Sequence, residues 1–357
     1  MSLKLDYLPS SRRHGLRPSV RVLTLSAVSV IVVLILSAIL WVIFAGSVDH
    51  LQTTFNPKSD NAIKIHNLYK LVWILAGIVM AAVLAITLAF SLIFRERPGG
   101  KAASHIHGNP KLEVMWTLIP VIIGILIVIP SFQVIADTTG DAPEGAIEIV
   151  ATGHQWWFEF EYPAAGLVTA NELHIPVGRP VEIELRSVDV IHSFWVPQLA
   201  GKVDMVPGHN NRLWFTPNER GEYYGQCAEF CGTSHANMRF RVVVESKEDY
   251  IAWVTAQTLD AQPAVGELAQ AGEGIATTLC AACHTIQGTS AAGTFGPNLT
   301  HVGGRGLIAS GMIDNDAEGL AEWLSDPAAM KPGSKMPNLN LNSEQIEQLV
   351  AYLQGLQ

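Results

Sequence analysis

The sequence predicts a multidomain protein: N-terminal transmembrane helices, then a β-sandwich, then an all-α domain. Three observations carry this. Uncharged stretches occupy 22–45, 71–94 and 116–136, each near the ~20 apolar residues a membrane helix requires. From 147 to 245, short β-branched or alternating runs are separated by turn residues, the pattern of a sandwich or barrel. From 265 onward the apolar spacing turns helical. Composition agrees. Of 357 residues, 49% are hydrophobic and only 15% charged, against ~25% charged in a typical soluble domain. A chain this apolar is not disordered. A net charge of −9 argues against nucleic acid as a partner.

The first apolar stretch follows Lys4, Arg12, Arg13, Arg17 and Arg21, a basic flank that belongs in the cytoplasm. Ala45-Gly46-Ser47 offers a cleavage-like pattern, but the apolar run exceeds the ~7–15 residues of a usual signal peptide. Residues 1–47 are therefore a signal peptide or a signal anchor, and either leaves 47–70 outside. The second stretch returns inward. The loop 95–111 sets Arg95, Arg97, Lys101 and Lys111 against Glu96 alone, which suits a cytoplasmic loop. The third stretch goes out again and carries Pro120 and Pro130, tolerated in membrane helices. The membrane hairpin spans 48–140, and everything after 136 is extracytoplasmic.

The sandwich is expected over 141–258. Ile147-Glu-Ile-Val-Ala151, Val181-Glu-Ile-Glu-Leu185 and Phe240-Arg-Val-Val-Val244 read as strands, separated by turn signals such as Pro176-Val-Gly178 and Pro207-Gly208. A short helix covers 247–258, and Gln262-Pro263 begins a linker. The last domain, 259–357, holds helices at 269–279, 317–324 and 343–353, the last capped by Asn342 or Ser343. From 260 to 357 there are ten acids against Arg305, Lys331 and Lys335. That net −7 would steer a donor with a positive face.

The four cysteines fall into two motifs. In Cys227-Ala-Glu-Phe-Cys231-Gly-Thr-Ser-His235-Ala-Asn-Met238, thiolates, imidazole and thioether form a soft set suited to copper. His192, some 35 residues upstream, is the candidate second imidazole. Such a set holds two coppers bridged by both sulfurs and suits electron transfer. A Cys227–Cys231 disulfide would leave His235 and Met238 unexplained. In the second motif, Cys280-Ala-Ala-Cys283-His284, both thiols attach a c-type haem and the histidine ligates its iron. A methionine supplies the sixth ligand. Met312, Met330 and Met336 are candidates, and Met336, in Lys331-Pro-Gly-Ser-Lys335-Met336-Pro337 before the final helix, is preferred.

Over roughly 67–245 the chain resembles subunit II of haem–copper cytochrome c oxidases, with a two-helix hairpin and a cupredoxin-like domain carrying the dinuclear CuA centre. The resemblance implies that His192, Cys227, Cys231, His235 and Met238 ligate copper. It implies that Glu229 gives its backbone carbonyl to one copper and its side chain to a magnesium ion at the boundary with subunit I. Gly153-His-Gln-Trp156-Trp157-Phe158 matches the family's aromatic run. Trp156 there resembles the electron-entry residue and should be partly exposed, with Trp157 and Phe158 in the core. Lys111-Leu-Glu113-Val-Met-Trp116 resembles the start of the family's last helix. Its Glu113 marks a proton-path entrance or only a solvated helix start. The terminal domain is similar to class I cytochromes c, in which a segment like Gly296-Pro297-Asn298-Leu299 packs beside the haem.

Together these features imply the electron-transfer subunit of a caa-type oxidase in a prokaryotic plasma membrane. Its copper and cytochrome domains would lie on the outer side. Electrons would pass from the c-haem to CuA and on to subunit I. That partner holds haem a and CuB, reduces oxygen and pumps protons. Subunit III and a cytochrome c or bc-type donor complex complete the expected partners. No catalytic residue is expected on this chain. A nitric-oxide reductase with a copper subunit would share the CuA motif. A nitrous-oxide reductase would lack the hairpin, a quinol oxidase subunit would lack the copper ligands, and a free-standing carrier would need only one anchor.

Overall fold

The computed structural model describes residues 27–28, 31–35, 37–39, 52–94 and 108–357. Most of the 1–47 segment, with its cleavage-like pattern, and the basic loop up to residue 107 lie outside the described residues. Residues 27–28, 31–35 and 37–39 are helical. Two long apolar helices follow, α1 (Asp60–Ile93) and α2 (Pro110–Thr139). Each is long and apolar enough to cross a membrane, and each outruns its uncharged stretch because polar residues cap its start. Ser59 Oγ accepts from Ala62 N at the head of α1. Before α2, Asn109 Oδ1 accepts from Lys111 N and Glu113 Oε1 accepts from Asn109 N, a reciprocal capping arrangement. Large apolar side chains along both, such as Ile78, Phe90, Ile122 and Ile129, are exposed. A helix apolar all round needs lipid or partner helices around it.

Residues 52–69 and 126–357 belong to one compact unit. Within it the first turn of α1 is tied to the sandwich. Asp60 Oδ1 accepts from Thr216 N at 2.8 Å, and Asn61 Nδ2 donates to Trp214 O.

The sandwich has ten strands: β1 (Ile147–His154), β2 (Trp157–Tyr162), β3 (Leu167–Ala170), β4 (Glu172–Pro176), β5 (Val181–Ser187), β6 (His192–Trp195), β7 (Val203–Met205), β8 (Asn211–Phe215), β9 (Gly221–Cys227) and β10 (Arg239–Glu245). One sheet runs β3-β2-β1-β5-β8 and the other β4-β10-β9-β6-β7. The pairs β1/β5 and β10/β4 are parallel and the rest antiparallel. Alternate residues point inward, as the period of two requires. Phe158, Phe160, Phe194, Phe215 and Phe240 are fully buried between the sheets.

Helix α3 (Lys247–Gln257) follows, capped by Ser246, and Trp253 on it stacks on His174 with ring centroids 4.1 Å apart. The terminal part contains α4 (Glu267–Ile275), a π-helical turn (Ala276–Cys280), the short pair β11 (Leu307–Ile308) and β12 (Ile313–Asp314), α5 (Ala317–Ser325), α6 (Pro327–Met330) and α7 (Ser343–Gly355). Asn342 and Gln345 form a capping box at α7. Helices α4 and α7 cross closely, since a Cβ on Gly272 would sit 2.0 Å from Gln348 O. The sequence reads 269–279 as one helix; the structure widens its last turn into the π-turn ending at Cys280. Such a bulge re-aims the residues after it. Here Cys283 N and His284 N both donate to Cys280 O.

Candidate copper and haem sites

The five residues of the copper motif converge on one buried pocket. His192 opens β6 and Cys227 closes β9, and these strands are neighbours, with Phe194 opposite Cys227. Cys231, His235 and Met238 lie on the loop from β9 to β10, which Cys227 N closes by donating to Met238 O at 2.9 Å. The two cysteine sulfurs are 3.6 Å apart. Cys227 Sγ is 3.9 Å from His192 Nδ1 and 3.2 Å from Glu229 O. Cys231 Sγ is 3.6 Å from His235 Nδ1 and 3.8 Å from Met238 Sδ. All four cysteines are free.

Asp189 Oδ1 holds His192 Nε2 at 2.8 Å, so Nδ1 is left to face the sulfurs. Such an outer partner sets which ring nitrogen serves a metal. A Cβ on Gly153 would lie 2.7 Å from the His192 ring, so only glycine lets β1 pass there. The Cys231 thiol beside it draws the Cys227 thiol well below the usual thiol range, against burial, while the same contact raises Cys231. Burial alone would lower His192, but Cys227 and Asp189 outweigh it and hold the imidazole above its ordinary value. Two sulfurs, two imidazole nitrogens, a thioether and a carbonyl in one place, with His192, Cys227, Cys231 and Met238 buried and His235 half-buried, fit copper better than zinc or a hard cation.

The second motif opens on a cleft of about 510 Å³ lined by Cys280, Cys283, His284 and Met336 together with Trp156 and Arg305. Its size falls in the range of cofactor pockets. His284 Nδ1 is engaged by Pro297 O at 2.7 Å, which leaves Nε2 as the free ring nitrogen. Burial lowers this imidazole below its ordinary value, the state an iron ligand needs. Gly296 lies against it, where a Cβ would come within 2.6 Å. Arg305 Nε and His154 Nε2 are buried without partners at this cleft. Orphaned donors of this kind fit an occupant that brings carboxylates, as haem does with its propionates. Met336 lines the cleft; Met312 and Met330 do not.

Trp156 departs from the sequence expectation of part exposure. It is only 9% exposed. Its Nε1 donates to Cys231 O at 3.0 Å, and the loop carrying Met336 covers the indole, with Gly333 packed on the ring. The covering comes from residues some 175 positions away, which no local pattern reveals. Trp157 also departs from expectation. It is half-buried, stacks on His154 with centroids 4.1 Å apart and lines the cleft. Phe158 is fully buried in the core as expected. Glu113 is exposed and serves the helix start. Glu229 is half-buried, with Oε1 accepting from Phe230 N. Four residues at the sites were not singled out from sequence: Asp189, the buried Lys331, and Arg305 and His154 at the cleft. The only local signal for Asp189 is its place three residues before His192.

Three family models match the chain. Cytochrome c oxidase subunit II, transmembrane domain, matches residues 49–134; cytochrome c oxidase subunit II, periplasmic domain, matches 165–247; and cytochrome c matches 269–357. A cytochrome c oxidase subunit 2 of Alkalihalophilus pseudofirmus is 36% identical over 312 residues, covering 85% of this chain and 90% of that one. Another, of Bacillus subtilis, is 31% identical over 90% of this chain and 97% of that one. A quinol oxidase subunit 2 of Bacillus cereus is 31% identical, over 59% of this chain and 75% of that one. At 85% and 90% of this chain, the likeness to the two cytochrome c oxidase subunits extends into the terminal domain. The chain belongs to the cytochrome c oxidase subunit II family and carries a cytochrome c domain after its cupredoxin-like domain.

Proposed function

We propose that this chain is the electron relay of a caa-type oxidase, taking electrons at a covalently attached c-haem and passing them through CuA to subunit I. The observation that carries this is the placing of both cysteine motifs beside one tryptophan. Trp156 lines the haem cleft and donates to Cys231 O. When bound, haem and paired copper supply one-electron carriers that need no proton or bond change. The chain's residues hold them. Cys280 and Cys283 would tether the haem, and His284 and Met336 would offer it nitrogen and sulfur. His192, Cys227, Cys231, His235, Met238 and the Glu229 carbonyl would hold the copper pair, and Asp189 orients His192. Burial of Met238 and His192, both 0% exposed, excludes water, so little solvent reorganises when charge arrives. The Glu229 carboxylate would meet magnesium at the subunit I boundary, and Glu113 would stand at the entrance of a proton path. The domains are taken as 48–140, 141–258 and 259–357 after the signal peptide or signal anchor of 1–47, with the last two outside the plasma membrane.

A reduced-minus-oxidised visible spectrum of the purified complex tests this reading. Bands of both c-type and a-type haem are expected. A c-type band with no a-type haem, in a complex whose large subunit holds iron rather than copper, would give the role to a nitric-oxide reductase instead. The quinol-oxidase alternative is disfavoured by the complete set of copper donors.

Trp156→Phe tests the entry role. The indole N–H bond to Cys231 O is lost, at a cost of about 1 kcal/mol in stability. Electron entry into copper is expected to slow about tenfold, equivalent to ~1.4 kcal/mol of barrier, with the copper spectrum intact. Flash-induced reduction of the complex reads both. An unchanged rate would return Trp156 to a packing role.

A further inference from the structure

Lys331 is 4% exposed and, among the described residues, has no carboxylate partner. A lysine buried this deeply without an acid is uncommon. Its Nζ donates to Trp156 O, to Ser310 Oγ at 2.6 Å and to Ala309 O at 3.4 Å. Ser310 Oγ donates to Trp156 O as well, at 2.7 Å. One lysine Nζ and one hydroxyl thus clamp the main chain of the residue that lies between the two cysteine motifs. The clamp sits at the start of the loop that ends at Met336. Along that loop, Pro332 O accepts from Ser234 Oγ, beside His235. Gly333 packs on the indole so closely that a Cβ would approach Trp156 to 2.8 Å. Lys335 reaches Asp189 Oδ2 at 3.4 Å. Burial lowers the Lys331 pKa to about 7, so the fold accepts an unfavourable burial at this point. Hydrophobic residues of similar volume are often at least as stabilising in such places. What the lysine supplies is geometry.

We infer that Lys331 is a positioning residue for electron transfer within the chain, fixing the Met336 loop against Trp156 so that haem and copper face each other at one set distance. The inference rests on the relay reading above. The transfer is a single electron, oxidising the haem iron and reducing the copper pair, with no bond or proton exchanged. The two parts of the chain are also joined away from Lys331, where Glu172 Oε1 accepts from Gly306 N at 2.9 Å and Leu307 N at 3.2 Å. That second junction reports separately on whether the parts stay together.

The test uses the purified complex with the full chain. An electron is placed on the c-haem by a flash-excited photoreductant and its arrival at copper is timed. Lys331→Met is expected to slow this transfer several-fold, since electron transfer through protein falls off steeply as two centres move apart. The potentials of both centres are measured alongside, because Lys331 lies close enough to Cys231 to feel its charge, and the rates are compared at equal driving force; hydrogen exchange at the Gly306 and Leu307 amides should stay protected. Ser310→Ala, which removes the hydroxyl bridging Lys331 and Trp156, should slow transfer by a smaller factor. The double variant should be no slower than Lys331→Met alone, because both act through one clamp. An unchanged rate in Lys331→Met overturns the inference. So does a slowed rate that comes only with loss of amide protection, which is a structural effect, and so do additive effects of the two changes. If the parent complex lacks a copper or c-haem signal, the relay reading fails before the clamp is tested.

Discussion

Cys227→Ser removes the paired-copper signal completely. In the parent complex, near-infrared absorbance and the mixed-valence spin-resonance pattern of two coppers sharing one electron are expected. Both vanish in the variant. Cys227 Sγ lies 3.6 Å from Cys231 Sγ, 3.9 Å from His192 Nδ1 and 3.2 Å from Glu229 O, so it sits centrally in the donor set. A serine hydroxyl is a hard donor with a high pKa and does not bridge two soft metal ions. The fold itself should survive, because oxygen replaces sulfur at nearly the same volume in a pocket whose walls are two sheets and one loop. The c-haem band should also survive, since Cys280 and Cys283 belong to a separate cluster. Retention of the two-copper pattern would exclude Cys227 as a bridging ligand. Loss of both copper and haem signals would show instead that the fold had failed.

Met336→Leu removes the sulfur–iron band of the c-haem and lowers its potential on the order of 0.1 V, within the ~0.8 V that axial ligands command. Thioether ligation raises the potential of a haem, and leucine fills the space without a donor. The haem stays attached through Cys280 and Cys283. Met330→Leu is the control. Met330 ends α6 and does not line the cleft, so its replacement should leave band and potential unchanged. The reverse outcome, with Met330→Leu causing the loss, would move the sixth ligand to that residue. Electron entry into copper in Met336→Leu should speed or slow with the altered driving force, while the copper spectrum stays as in the parent.

Much of this protein was legible because its chemistry is written locally. Cys280, Cys283 and His284 fall within five residues, the spacing of the c-type haem attachment pattern. Cys227, Cys231, His235 and Met238 occupy one short loop. A β-hairpin connection closed by Cys227 N on Met238 O brings such a loop together whatever surrounds it. Membrane helices are legible because lipid imposes a long uncharged run, and the sandwich strands because one buried face imposes a period of two. The helix ends ran past the sequence estimate, since caps such as Asn109 with Glu113 extend a helix into polar sequence.

What lies between the motifs was decided only by the tertiary structure. His192 is an ordinary strand histidine until β6 pairs with β9 and brings it to Cys227, and Asp189 then selects its tautomer. Trp156 looks like an edge aromatic, yet the Met336 loop buries it. Lys331 and Arg305 count as surface charge in a tally of the terminal domain, but Lys331 is buried and an Arg305 nitrogen is closed off at the cleft. The acidic excess therefore stands almost alone on that surface, opposed there by Lys335, itself paired with Asp189. The physical reason is range. Periodicity and motif spacing record what a residue's neighbours in sequence demand. Burial of a lysine against the carbonyl of a tryptophan 175 residues away depends on how two separately encoded folds meet.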